Sequence, residues 1–256
     1  MDYCVAAGHS KTTLRTRVHY LSVLAGTHRL RSPESLTTDD LVAVLAWPTW
    51  KPETRKSARS AIRSFCRWLY ATGRIQADPS AALLPVSVPR ASPKPAPKTV
   101  FVVAFERADW RGRRILSLAR FGGLRRGEIA RGHTDDVDED GWLSIVGKGG
   151  HGRRIPLHPV ITGWLCSAER GWLIPSLAPG ATRHLTADHV GKLGNSWLPK
   201  GWSVHNLRHR AGTDWYAVER DLRAAQELLG HADPKTTALY TQIPQQSLMN
   251  AVMGVA

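Results

Sequence analysis

The 256-residue chain is poor in acids, cysteine and long apolar runs. Its three cysteines, Cys4, Cys66 and Cys166, are odd in number, far apart and not in metal-ligand spacing, which argues against a disulfide scaffold or thiolate metal site and fits a reducing, cytoplasmic setting. No stretch approaches the roughly 18 apolar residues of a spanning helix. Met1 to Lys11 lacks the apolar run of an export signal, so no membrane role is expected. Nucleotide cradles of the Gly-x-Gly-x-x-Gly or phosphate-loop type are missing too, because Gly147-Lys148-Gly149 reads as part of a hairpin rather than a strand-to-helix turn.

Metal sites find no better support. Asp135, Asp136, Asp138, Glu139 and Asp140 form the one acidic cluster, and Asp136 to Gly141 matches the opening of a calcium loop. The match fails at the twelfth position, where Gly147 stands instead of a bidentate Glu, so a solvated acidic turn is expected. His205 and His209 are four apart, but Asn206 occupies the place where a zinc protease needs Glu. No metal and no cofactor are expected.

What the chain has is positive charge. Thirty-five Lys and Arg against twenty-one Asp and Glu give +14, a field that gathers polyanions. Hydrophobic residues at 42% suffice for a folded core, so nucleic acid is the first partner to consider.

Prolines 85, 89, 93, 95 and 97 mark a composition break, and we expect a helical DNA-binding domain over 1–84, a Pro-rich linker over 85–99 and a second domain over 100–256. In the first, Ser10 is placed to cap a helix carrying Leu14, Val18 and Leu21, and Thr38 with Asp39 and Asp40 to open another. From Pro52 to about Thr72, Ala58, Ile62, Phe65 and Leu69 form an apolar stripe, and Lys56, Arg59, Arg63 and Arg67 a basic one. A basic stripe is commonly just a solvated face; with this net charge we read it as a DNA contact.

The second domain mixes helices with a small antiparallel sheet. Trp110 to Phe121 has the spacing of a buried helix. Trp142 to Val146 and Arg154 to Leu157 flank a glycine-rich turn that would present Lys148. Asp221 to Leu229, closed by Gly230, and Pro234 to about Thr241 read as the last helices.

Four motifs follow one another in this domain: Gly123-Leu124-Arg125-Arg126-Gly127-Glu128-Ile129; Gly147-Lys148-Gly149 with Arg154-Ile155-Pro156-Leu157; His205-Asn206-Leu207-Arg208-His209; and Leu228-Leu229-Gly230-His231 with Thr236-Thr237-Ala238-Leu239-Tyr240. Together they resemble the tyrosine recombinases, the phage-integrase family, over roughly Val100 to Ile243. The resemblance implies a mainly α fold with a small antiparallel sheet, a helical core-binding domain followed by an α+β catalytic domain. It implies that Tyr240 attacks the scissile phosphate and is left on the 3′ phosphate, that Arg125 and Arg208 hold the non-bridging oxygens, and that Lys148 protonates the leaving 5′ oxygen. His205 and His231 would serve phosphate binding and proton handling, with Glu128 and His209 in support. Arg126 and Arg153, neighbours of these groups, are candidates for backbone phosphate contact. Tyr216, eight positions after Arg208, competes for the nucleophile's role but reads as helix interior.

The chain begins almost directly with the core-binding helices, so we expect a small form without an arm-binding domain. The resemblance also implies double-stranded core sites as partners, four protomers on two sites, and room for an accessory DNA-bending or directionality protein. Integration or excision of a phage or mobile element is the leading function. A chromosome or plasmid dimer-resolving recombinase, a type IB topoisomerase-like relaxing enzyme and a non-catalytic DNA-binding relative remain open. The apolar residues Leu248, Met249, Ala251, Val252 and Met253 would fold on their own domain or, the reading we favour, dock on an adjacent protomer.

Overall fold

The computed structural model describes residues 2–28, 32–89, 92–147, 150, 152–178 and 183–230. Lys148, His231, Tyr240, the expected helix from Pro234 and the apolar tail lie outside them. The chain divides into two compact units, residues 1–91 and 92–256.

The first unit is helical: α1 (Asp2–Ala6), α2 (Lys11–His28), α3 (Thr38–Leu45) and α4 (Pro52–Ala71). Ser10 caps α2 by accepting the Thr13 N–H at 3.2 Å. The α3 cap falls one residue earlier than expected, on Thr37. There Asp40 completes a reciprocal box: the Thr37 N–H donates to its carboxylate at 2.9 Å, and the Asp40 N–H donates to the Thr37 hydroxyl at 3.2 Å. Leu24, Leu41, Val44, Ile62, Cys66 and Leu83 form the core, with α4 supplying the central stripe. On the other side of α4, Lys56 and Arg67 are exposed and Arg63 is half-buried. Arg59 is also half-buried and donates to the Leu83 carbonyl at 2.6 Å, so part of its guanidinium braces the fold rather than facing outward.

In the second unit, α5 (Lys98–Arg107) leads to α6 (Trp110–Arg120), whose Ile115, Leu116, Leu118 and Ala119 are fully buried. A short α7 (Arg126–Arg131) precedes the hairpin of β1 (Trp142–Val146) and β2 (Gly152–Pro156), then α8 (Pro159–Leu165), α9 (Ala187–Trp197), α10 (Val204–Glu219) and α11 (Leu222–Leu229) follow. The strands pair antiparallel with Trp142 opposite Pro156 and Val146 opposite Gly152. β2 therefore starts two residues and ends one residue earlier than expected, because Gly152 and Arg153 also pair with β1 and the register ends at Pro156.

The Pro-rich stretch is not a free spacer throughout. Ala96 is fully buried, and its N–H, kept between two prolines, donates to the Asn206 carbonyl at 3.1 Å. Asn206 Nδ2 returns a bond to the Lys94 carbonyl at 2.8 Å, and α5 begins at Lys98. The acidic turn is spent on the fold. Asp136 accepts the His133 N–H, Asp138 accepts the Trp142 N–H and pairs with Arg154, and Asp135 pairs with Arg170. Among the described residues, no helix is long and apolar enough to cross a membrane.

Candidate active site

Glu128 is the organising group. It sits at the third position of α7, where a carboxylate is favoured by the helix dipole, and accepts the Arg125 N–H at 2.8 Å. Only 5% of its surface is exposed, so its charge must be paired where it stands. Arg153 Nη1 and Nη2 grip its two oxygens at 3.0 and 2.8 Å, a fork-on-fork pair. Arg125 Nη1 donates to the same Oε1 at 2.8 Å, and Arg208 Nη1 lies 3.8 Å from Oε2. Burial pushes the carboxyl up, but the hydrogen bonds from Arg153 and from the Arg125 main chain and side chain outweigh it and bring it down to about 2. Three guanidiniums around one carboxylate leave two positive charges in excess.

The same three arginines hold the end of α11. Arg153 Nε donates to the Leu228 carbonyl at 3.0 Å, Arg208 Nη2 to that of Leu229 at 2.7 Å, and Arg125 Nη2 to that of Gly230 at 3.1 Å. These are carbonyls that a helix end leaves without partners within the helix. Gly230 closes α11 with φ +62°, and a Cβ there would fall 2.8 Å from Arg153 Cδ. Glycine is required both by the left-handed turn and by the arginine lying against it. His231 is the next residue in the chain.

Arg208 is 1% exposed and also donates to the Gly123 carbonyl. Gly123 has φ +59°, and a Cβ on it would meet the Trp215 ring at 2.5 Å. One turn before Arg208 on α10, His205 is exposed at its edge. It meets the His209 ring in an edge-to-face contact with centroids 4.3 Å apart. Partial desolvation, then the charges of Arg208, Arg125 and Arg126, hold the His205 imidazole below its usual value. Burial, then His205 and Arg208, bring His209 down to about 4. Both rings are therefore neutral at pH 7.

The structure thus brings together Arg125, Glu128, His205, Arg208 and His209 from two motifs far apart in sequence. Arg126 stays apart, exposed and 3.3 Å from Asp188. Tyr216 is half-buried along α10. Arg153, which the sequence offered to backbone phosphate, has a side chain only 7% exposed and spends all three guanidinium nitrogens on Glu128 and Leu228. That inward role was missed, although alternation along β2 carries the signal. Arg153 lies two positions before the buried Ile155, so the two share a face.

Comparison with known proteins bears on the family and the fold. Residues 100–247 match the model of the phage integrase family. Tyrosine recombinase XerC of Chromobacterium violaceum is 31% identical across 99% of this chain and 92% of its own length. Among solved structures, the integrase of mycobacterium phage Brujita is 25% identical, covering 96% of this chain and 87% of that one with TM-score 0.51. A lambda integrase dimer bound to a COC′ core site is 20% identical, covering 93% of this chain and 74% of that one with TM-score 0.74, a likeness of fold. With more than half its length matched by the family model and a relative of that identity spanning nearly all of it, the chain belongs to the phage integrase family, the tyrosine recombinases that cleave and rejoin DNA at specific sites.

Proposed function

We propose that this recombinase acts on short double-stranded core sites with Tyr240 as nucleophile, integrating or excising a phage or mobile element. The observation that carries the reading is the Glu128-centred arginine cluster, in which Arg125 and buried Arg208 are fixed on one carboxylate with two positive charges in excess. A phosphodiester needs that arrangement as negative charge builds on its non-bridging oxygens, and groups already fixed in place pay no reorganisation when it does. The Tyr240 oxygen forms a bond to phosphorus as the bond to the 5′ oxygen breaks, and Lys148 supplies the proton that this oxygen takes up. Neutral His205 donates a hydrogen bond to a phosphate oxygen, and His231 handles the phenol's proton. The 3′-phosphotyrosine keeps the ester's energy, so a 5′ hydroxyl reseals the strand without fuel. No step calls on a metal or organic cofactor.

Residues 1–84 serve as the core-binding domain and 100–256 as the catalytic one, with Lys56, Arg59, Arg63, Arg67 and Arg126 toward the DNA backbone. Four copies on two sites exchange strands in pairs, with room for an accessory bending or directionality protein. Lambda integrase, solved as a dimer on its core site, supports the partner and the multimer. The likeness to XerC along almost the whole chain favours a second reading, resolution of chromosome or plasmid dimers.

A nicked suicide substrate tests the chemistry. The native chain should form a covalent adduct that depends on site sequence, and Tyr240→Phe should form none. Adduct surviving in Tyr240→Phe removes the nucleophile assignment, and relaxation of any supercoiled plasmid irrespective of sequence would point to a topoisomerase. Mapping the DNA bound in cells by Tyr240→Phe separates an element's attachment site from a single chromosomal resolution site.

A further inference from the structure

Every guanidinium nitrogen of Arg153 is engaged, by Glu128 and Leu228. Nε is on the Leu228 carbonyl, Nη1 and Nη2 on the two Glu128 oxygens. Its backbone belongs to β2, which follows Lys148 in the sequence, while its partners lie at the start of α7 and the end of α11. One side chain therefore joins the hairpin, the Arg125 turn and the residue two positions before Gly230.

Its removal would have a definite consequence for its neighbours. Glu128 is 5% exposed and would lose a donor from each oxygen. Arg125 would still serve both oxygens, but a buried carboxylate that has lost its fork favours the closer approach of a neighbouring cation. Arg125 already stands on it at 2.8 Å, and the next guanidinium is that of Arg208, whose Nη1 lies 3.8 Å from Oε2. Closing to an ordinary charge-assisted bond of about 2.8 Å would move the guanidinium by about 1 Å. Such a displacement of a positioned group costs about 100-fold in rate.

We propose that Arg153 is a positioning residue for strand cleavage: by saturating Glu128 it keeps Arg208 and Arg125 at the separation that fits the scissile phosphate. The inference rests on the reading of Arg125 and Arg208 as the phosphate-holding pair.

The test is single-turnover cleavage of a nicked suicide site by the full chain, in two versions, with an ordinary scissile phosphate or with a methylphosphonate there. Replacing one non-bridging oxygen by methyl removes a negative charge, so cleavage depends less on where the guanidiniums stand. Arg153→Met, close in volume and uncharged, should bind the site within about threefold of the native chain, an energy change of under 1 kcal/mol. It should cleave the phosphate about 100-fold more slowly. On the methylphosphonate the deficit should shrink to less than about tenfold, the part that charge placement no longer controls. Arg153→Lys keeps the charge without the fork, and its loss on phosphate should be smaller, again shrinking on methylphosphonate. If Arg153→Met loses site binding as well, Arg153→Lys on the same two substrates decides. Native-like cleavage of the phosphate, or an equal deficit on both substrates, overturns the proposal. Failure of the native chain to form any adduct instead overturns the nucleophile reading on which it rests.

Discussion

Replacing Glu128 by Gln keeps the shape of the side chain and removes the one negative charge that three guanidiniums share. The magnitude follows from the carboxyl's own titration. Held at about 2 in the fold against an ordinary 4.5, it contributes on the order of 3 kcal/mol at neutral pH. Breaking a buried ion pair by removing one partner costs a similar 3–5 kcal/mol, roughly. A group lowered in the fold gives stability that is complete above the unfolded value and lost as pH falls through the folded one. The native chain should therefore weaken between about pH 4.5 and 2 through this group, while Glu128→Gln has no such slope. The assay is urea unfolding of the full chain at pH 7 and at pH 2.5, with pulsed hydrogen exchange following the amides of Gly123 to Arg131. We expect Glu128→Gln to be destabilised by about 3 kcal/mol at pH 7 and the difference to shrink to about 1 kcal/mol at the lower pH, where the unfolded carboxyl is protonated and the folded one only partly so. A loss below about 0.5 kcal/mol at pH 7, typical of an exposed substitution, would refute the account of a buried, charge-organising carboxylate. So would a difference that persists undiminished at pH 2.5.

Two other expectations follow from the same cluster. Gly230→Ala places a Cβ in a left-handed turn and within 2.8 Å of Arg153, so adduct formation in the suicide assay should fall at least about tenfold, with a stability loss of about 1–3 kcal/mol. Unchanged cleavage would mean that Arg153 does not need its place against the α11 end. His209, held at about 4 against the usual 6.5, stays neutral in the fold where the unfolded chain takes up a proton. Stability should thus drop as pH falls from 6.5 toward 4, by up to about 3 kcal/mol, and a denaturation series over that range should be flatter in His209→Gln.

The sequence made legible what repeats or punctuates. The buried stripe of α4, with Ala58, Ile62 and Leu69, and the buried stretch of α6 follow from spacing alone, because a helix that packs one face writes that face every three or four residues. Asp221 and Gly230 bound α11 as capping chemistry demands. Less legible were features that depend on a partner far away in the chain. The Pro-rich stretch reads as a spacer because proline withholds donors, yet Ala96 keeps one, and only the fold reveals that Asn206 accepts it. The start of β2 at Gly152 depends likewise on pairing with β1, which Arg153 and Arg154 join despite their charge.

Arg153 shows most clearly why composition misleads at such a site. In a chain of net charge +14, an arginine beside a glycine-rich turn reads as a DNA contact, since most arginines in such a chain are exposed and available to phosphate. Burial inverts that reasoning. Along β2, Arg153 shares the face of Ile155, which is 1% exposed, and an arginine on that face must have a carboxylate or be excluded. Glu128, on the first turn of α7, is the carboxylate that meets it. The excess positive charge that suits the site to a phosphodiester is therefore built from a pair that cancels, Glu128 with Arg153, and a pair that does not, Arg125 with Arg208. Glu128 stands 2.8 Å from Arg125 and 3.8 Å from Arg208, so the same anion faces both guanidiniums and offsets part of their mutual repulsion.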